Sequence, residues 1–233
     1  AAAGGPVSAQ LLLGAFLIDG RARAESRWHP WLALLPAEYQ DPLWWPESER
    51  RRLLAGTQLL HEAARHEAQL REAHAALFPA LCREQPELFP EGRFTPEAFR
   101  WARSCIASRS FDEAVLPAPG APGVEGVLWD LRAALCPLLD FANHRPGAAA
   151  HVGPAGACVG LRLECGCEAG AEVFADYGAR PNLRLLLGHG FCLPGNPLDT
   201  VPLRLGAPAL GPPRHELLRA SGLRLEEVHE LAR

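Results

Sequence analysis

The apolar residues of this 233-residue chain change their spacing once, and that change limits the folds open to it. Up to about Ser108 they recur at the 3.6-residue period of helices. Beyond Gly126 they come in short runs cut by Gly and Pro. In the first part, Val7 to about Arg23 predicts a helix, with Leu11, Leu12, Ala15 and Ile18 on one period. Glu47 to about Phe78 carries the strongest helical signal. Leu53, Leu54, Leu60, Ala64 and Leu77 supply its apolar stripe, and Gly56 stands where it would break in two. This segment is expected to pack as an appendage with no part in chemistry. Thr95-Pro96-Glu97 opens another helix, reaching about Ser108. Thr suits the N-cap, Pro the first helical position and Glu the positive end of the dipole. Trp28–Leu32 and Pro42–Pro46 are aromatic, proline-punctuated segments that read as core-covering loops.

In the second part, Pro117–Gly126 reads as an exposed loop. Strand-like runs follow at Ala134–Leu139, Ala157–Leu163 and Glu172–Ala175, then a short helix at Pro181–Leu187 and a strand at Val201–Leu205. Gly206–Pro213 reads as a linker, and Arg214–Leu218 and Leu225–Leu231 as the start of a further helical region. Helices, short strands and helices again make an α+β pattern.

Other features narrow the function. With 23 basic against 27 acidic residues, the net charge of −4 gives no electrostatic reason for direct nucleic-acid binding. No run approaches the ~18 apolar residues of a membrane span. Leu11–Ile18 is too short, and it lacks the flanks of a signal peptide. Seven cysteines without a framework pattern read as free thiols in a reducing compartment. Cys165-Gly166-Cys167 has no second pair nearby, so no zinc site is expected. His61 and His66 stand at i and i+5, roughly 140° apart around a helix, which does not fit the i, i+4 pair of a zinc-protease helix. No GxGxxG or phosphate-binding loop is present, which argues against nucleotide hydrolysis and against a Rossmann-type site. Met is absent and the chain opens at Ala1, so the sequence reads as part of a longer protein.

Three runs carry the chemistry: Pro137-Leu138-Leu139-Asp140-Phe141-Ala142-Asn143-His144, Ala171-Glu172-Val173-Phe174-Ala175-Asp176-Tyr177-Gly178, and His189-Gly190-Phe191. Tyr177 ends a strand-like run before a glycine, where backbone can approach a ligand closely. Taken alone it reads as well as a tyrosine capping a sheet edge. Asn143 and His144 can offer amide and imidazole groups to an adenine or a carboxylate. Taken alone they read as an Asn-based turn with a satisfied histidine, pinned by Asp140.

As an ordered set these runs resemble the catalytic half of a SET-domain protein methyltransferase, in the branch that includes the plant Rubisco large-subunit methyltransferase. Asn143-His144, Tyr177-Gly178 and Gly190-Phe191 follow in that family's order and at similar spacing. The flanks agree with this branch: Ser26-Arg27-Trp28-His29-Pro30-Trp31-Leu32 to Leu35-Pro36, Trp101-Ala102 through Ser108-Arg109-Ser110-Phe111, Ala179-Arg180-Pro181-Asn182, and Arg214-His215-Glu216-Leu217-Leu218 with Gly222-Leu223. The resemblance therefore runs through nearly the whole chain.

The resemblance implies a SET domain of small curved sheets over residues 1–205, with a helical insertion at about 25–106. The Asn143-His144 segment would pass through a loop as a pseudoknot. Residues 206–233 would open a C-terminal helical, substrate-binding domain. It implies transfer of a methyl group from S-adenosyl-L-methionine to a lysine of a protein substrate. Tyr177 would be catalytic, and Arg109, Phe111, Asp140, Asn143, His144, Tyr177 and Phe191 would form the cofactor site. The alternatives are a non-catalytic SET-like binding module and methylation of histidine. A histidine-methylating relative carries Trp before the Asp of its N-H segment, where this chain has Leu139, which favours lysine. The expected protein is a monomer without membrane or metal partners, placed in the cytoplasm, the nucleus or a plastid. Three departures stand out. The family's first, G-x-G-like cofactor strand has no counterpart here, so this stretch alone is expected to bind cofactor weakly or not at all. His189 stands where the branch has Tyr, and Pro181 where it has Ser.

Overall fold

Two apolar helical faces pressed together organise the first half of the molecule. In the computed structural model, residues 9–112, 115, 134–204 and 228–232 are described. Helix α1 (Ala9–Ala22) packs against α5, which spans Pro96–Arg109. Leu17 and Ile18 share one buried cluster with Phe99, Trp101, Ala102, Cys105 and Ile106. Helix α5 starts where its sequence dictates: Pro96 takes the first turn, and the Thr95 hydroxyl accepts a hydrogen bond from the Ala98 N–H at 3.2 Å. One turn of helix, α2 (His29–Leu32), stands where a loop was expected, and it buries Trp31 and Leu32 in the same cluster.

Gly56, at φ +75°, does separate two helices, α3 (Glu47–Leu53) and α4 (Gln58–Glu84). Pro79 removes one backbone donor from α4, yet the helix runs past Phe78 to Glu84. Burial explains this: Leu81 and Cys82 beyond the proline pack on the core. Phe78 itself is fully enclosed, with its ring 5.3 Å from those of both Phe94 and Phe99.

The strands are short, as Gly and Pro demand, and among the described residues they form four two-stranded sheets. Strand β1 (Ser110–Phe111) pairs antiparallel with β2 (Ala134–Leu135). Strand β3 (Asn143–His144) runs parallel to β6 (Phe174–Ala175), with Asn143 opposite Phe174 and His144 opposite Ala175. Between them lies the hairpin of β4 (Ala150–Ala155) and β5 (Cys158–Leu163), turning at Gly156 with φ +63°. Strand β4 was not foreseen, because Pro154 reads as a breaker. The run expected as a strand over Ala134–Leu139 ends at Leu135. The chain then turns through Leu138, at φ +74°, into a 3-10 turn at Leu139–Phe141.

Helix α6 (Asn182–His189) ends on Gly190, at φ +81°. A Cβ there would lie 2.9 Å from both the Asp41 nitrogen and the Gln40 carbonyl carbon, so only glycine lets these backbones meet. Strand β7 (Thr200–Arg204) pairs antiparallel with β8 (Val228–Ala232). This corrects the helical expectation for Leu225–Leu231 over its described part, from Val228 on, in a window too short for spacing to separate helix from strand. It also carries a pairing across the boundary expected at residue 206. The expected loop at Pro117–Gly126, the linker at Gly206–Pro213 and the helix at Arg214–Leu218 lie outside the described residues.

Candidate active site

The parallel pairing of β3 with β6 brings two of the three conspicuous runs side by side, and α6 delivers the third. Two adjoining cavities open at their meeting point. One, of about 270 Å³, is lined by Phe111, Ala150, His151, Val152 and Asp176, among others. The other, of about 340 Å³, is lined by Tyr39, Phe141, Asn143, Gly190 and Phe191, among others. Ser108, Arg109, Asp140, Tyr177 and His189 border both, and so form the wall between them.

Tyr177 is fixed from three directions. Its hydroxyl donates to the Ala142 carbonyl at 2.8 Å, and its main-chain N–H donates to His144 Nδ1 at 3.1 Å. Its ring stacks on that of His144 at 4.9 Å. Burial raises the Tyr177 pKa, with Asp140 adding to the rise and Arg109 opposing it, so the phenol keeps its proton. A main-chain N–H can only donate, so His144 Nδ1 is bare and the proton sits on Nε2. The 4.0 Å approach of His144 to Asp176 is thus no ion pair. Asp176 instead accepts from the Gly147 and Gly178 N–H groups.

The expected residues divide into two groups. Arg109, Tyr177, Asn143 and Phe191 reach cavity surfaces, with Asn143 and Phe191 together on the larger one. Phe111, expected with them, lines the smaller cavity instead, because β1 carries it past Arg109. His144, expected to touch cofactor, lines neither cavity. Its side chain is 3% exposed and serves as backing for Tyr177. The carboxylate of Asp140 is wholly buried. It accepts from Trp31 Nε1 at 3.2 Å and from Arg109 Nη1 at 3.3 Å, so it holds the wall together rather than reaching a ligand. Burial pushes its pKa up, while Arg109 and the Trp31 N–H work to hold it down. Asn143 donates from Nδ2 to Glu172 Oε1 at 2.6 Å.

Other contributors gave no legible signal. Trp31, Tyr39 and Gln40 lie far from the motifs in sequence, inside the expected insertion, yet Trp31 anchors Asp140 and the others line the larger cavity. His61 is exposed on α4, and His66 lines a separate cavity between α1, α4 and α5, so neither enters the site.

His189 has an imidazole pKa pushed down to about 4. Burial is the main cause, and the Arg180 charge adds to it. In the unfolded chain it would titrate near 6.5. The unfolded state therefore binds the extra proton between those values, and native stability is lost as pH falls from about 6.5 to about 4. The shift is worth up to about 3 kcal/mol at the acid end. Denaturant unfolding across this range is expected to show a shallower pH slope in His189→Phe than in the wild type. Equal slopes would place the imidazole in solvent.

No family model matches the chain. It is 29% identical over 208 residues to the actin-histidine N-methyltransferase of Homo sapiens, covering 84% of this chain and 32% of that protein. To the actin-histidine N-methyltransferase of Danio rerio it is 30% identical over 206 residues, covering 83% and 31%. The chain thus spans about a third of the length of these curated relatives. Among solved structures, the SET domain of LSMT bound to lysine and AdoHcy superposes with a TM-score of 0.74 at 22% identity, covering 96% of this chain and 51% of the other. Rubisco LSMT bound to AdoMet gives a TM-score of 0.74, again at 22% identity, covering 96% and 49%.

Proposed function

We infer, from the SET-domain fold that this chain shares with the Rubisco LSMT structures, that the protein is an S-adenosylmethionine-dependent protein N-methyltransferase acting on lysine. The observation that carries this reading is the Tyr177 hydroxyl in a wall common to two cavities. An in-line displacement needs donor and acceptor on opposite sides of one point, and two cavities meeting at a tyrosine supply that arrangement.

The residues of the larger cavity fit the cofactor. Tyr39, Phe141 and Phe191 give aromatic faces for a purine, and Asn143 gives an amide. Arg109 lines the same cavity with a guanidinium that suits a carboxylate. When bound, the cofactor supplies a methyl group on a sulfonium. The protein's own groups do the rest. Phe111, Ala150 and Val152 give the smaller cavity an apolar side for an alkyl chain, and Asp112 and Asp176 line it as well. The Tyr177 hydroxyl donates its hydrogen bond to the Ala142 carbonyl, so its oxygen keeps lone pairs with which to orient an acceptor N–H. It does so without bringing a formal negative charge to the cation. With the cofactor bound, the acceptor nitrogen would take the methyl as its bond to sulfur breaks, and the ammonium formed would give a proton to solvent.

A second reading is methylation of histidine, supported by the name of the curated relatives. The test is calorimetry with S-adenosylmethionine on the full-length protein. Asn143→Ala is expected to weaken binding by about tenfold, the loss of one charge-assisted or amide hydrogen bond. Equal affinity in the two proteins would remove Asn143 from the cofactor site. Methyl transfer to lysine-bearing and histidine-bearing peptides then separates the two readings.

A further inference from the structure

Among the described residues five border both cavities, and their polar groups decide what a reacting atom meets there. The Ser108 hydroxyl donates to the Ser104 carbonyl at 2.8 Å. Arg109 Nη1 is taken by Asp140, whose carboxylate is itself spent on Arg109 and Trp31. Tyr177 retains oxygen lone pairs after donating to Ala142. His189 lies beside it, ring to ring at 4.9 Å. A neutral imidazole that uses one nitrogen as donor keeps a lone pair on the other. Along this wall, then, stand two acceptors side by side, the Tyr177 oxygen and the bare ring nitrogen of a neutral His189.

We propose that His189 is a specificity-determining residue that selects an amine over an imidazole as methyl acceptor. This rests on the methyl-transfer reading above and deepens it. A neutral lysine amine carries N–H bonds on the same atom whose lone pair attacks, so it satisfies both wall acceptors while reacting. The attacking nitrogen of a neutral histidine carries no hydrogen; its N–H belongs to the other ring nitrogen. An imidazole in the same place therefore leaves a desolvated acceptor unpaired, a cost that falls on the wrong substrate alone. The depressed pKa supports this, since His189 stays an acceptor throughout the neutral range.

The experiment uses the full-length protein at neutral pH with two short peptides that differ only in carrying one lysine or one histidine. His189→Phe keeps an aromatic ring and removes the acceptor. Its kcat/KM for the lysine peptide is expected to fall and that for the histidine peptide to rise, moving the ratio of the two by about tenfold. His189→Asn keeps an acceptor oxygen and should retain most of the wild-type ratio. Cofactor affinity, measured alongside, shows that both variants are folded. If both variants lose activity on the two peptides in the same proportion, His189 only packs the wall and the proposal is overturned while methyl transfer stands. A wild type that methylates neither peptide overturns the functional reading and this inference with it. A wild type that prefers histidine overturns this inference alone.

Discussion

Tyr177→Phe is expected to lower turnover by about 30- to 1000-fold while cofactor affinity moves little. The substitution removes one hydroxyl and keeps the ring that stacks on His144. If that oxygen orients the acceptor, its loss removes a preorganised group worth about 2–4 kcal/mol in the transition state, at about 1.4 kcal/mol per tenfold. The geometry adds a second, smaller consequence. The Ala142 carbonyl loses the partner it has at 2.8 Å, at a cost of about 1 kcal/mol in stability. The measurement is methyl transfer by the full-length protein, with calorimetry and thermal unfolding in parallel. A variant that turns over like the wild type would reduce Tyr177 to a residue closing a sheet edge. A wild type that binds cofactor and methylates nothing would favour the binding-module reading.

The largest expected effect on stability comes from Asp140→Ala. The Asp140 side chain has no exposure and that of Arg109 only 17%. Removing the carboxylate leaves the guanidinium enclosed with its remaining contact to the Asp140 main-chain oxygen, and leaves the Trp31 N–H without a partner. Deleting one partner of a buried pair costs about 3–5 kcal/mol. That is a third or more of the ~5–15 kcal/mol that holds a typical domain together. Thermal unfolding should shift down by about 10 °C or more. Asp140→Asn keeps an acceptor for one of the two donors and should lose less. An unchanged melting temperature in Asp140→Ala would show that Trp31 and Arg109 find other partners.

The helices could be read from sequence where caps and periods agree. Thr95-Pro96 opens α5, Gly56 separates α3 from α4, and the period of Leu11 to Ile18 lies within α1. The strands were harder, because a two-residue strand such as Asn143–His144 has no period to detect. It exists because Phe174–Ala175 lies beside it, a relation that no local window contains. The site was legible as an ordered set of motifs, which places Tyr177, Asn143 and Phe191 near one another. What the motifs could not give was the division of labour. Nothing in the letters distinguishes Asn143, which reaches a cavity, from its neighbour His144, which turns inward to back Tyr177. That difference comes from the alternation of side chains along β3. Likewise, Asp140 reads as a ligand-facing carboxylate until Trp31, 109 residues earlier, is seen to claim it.

The close contact of Gly190 with Gln40 and Asp41 bears on how such a protein can be taken apart. The stretch from Trp31 to Asp41 comes early in the expected insertion, yet it is mortared into the cavity wall at Asp140 and at Gly190. The helical tract after it, α3 and α4, has no residue in either cavity of the site. The insertion is therefore not one exchangeable cassette. A chimera that swaps helical tracts between homologues should be spliced downstream of Asp41, so that the host keeps the masonry of its own site. A graft cut before Trp31 would import a foreign wall along with the helices.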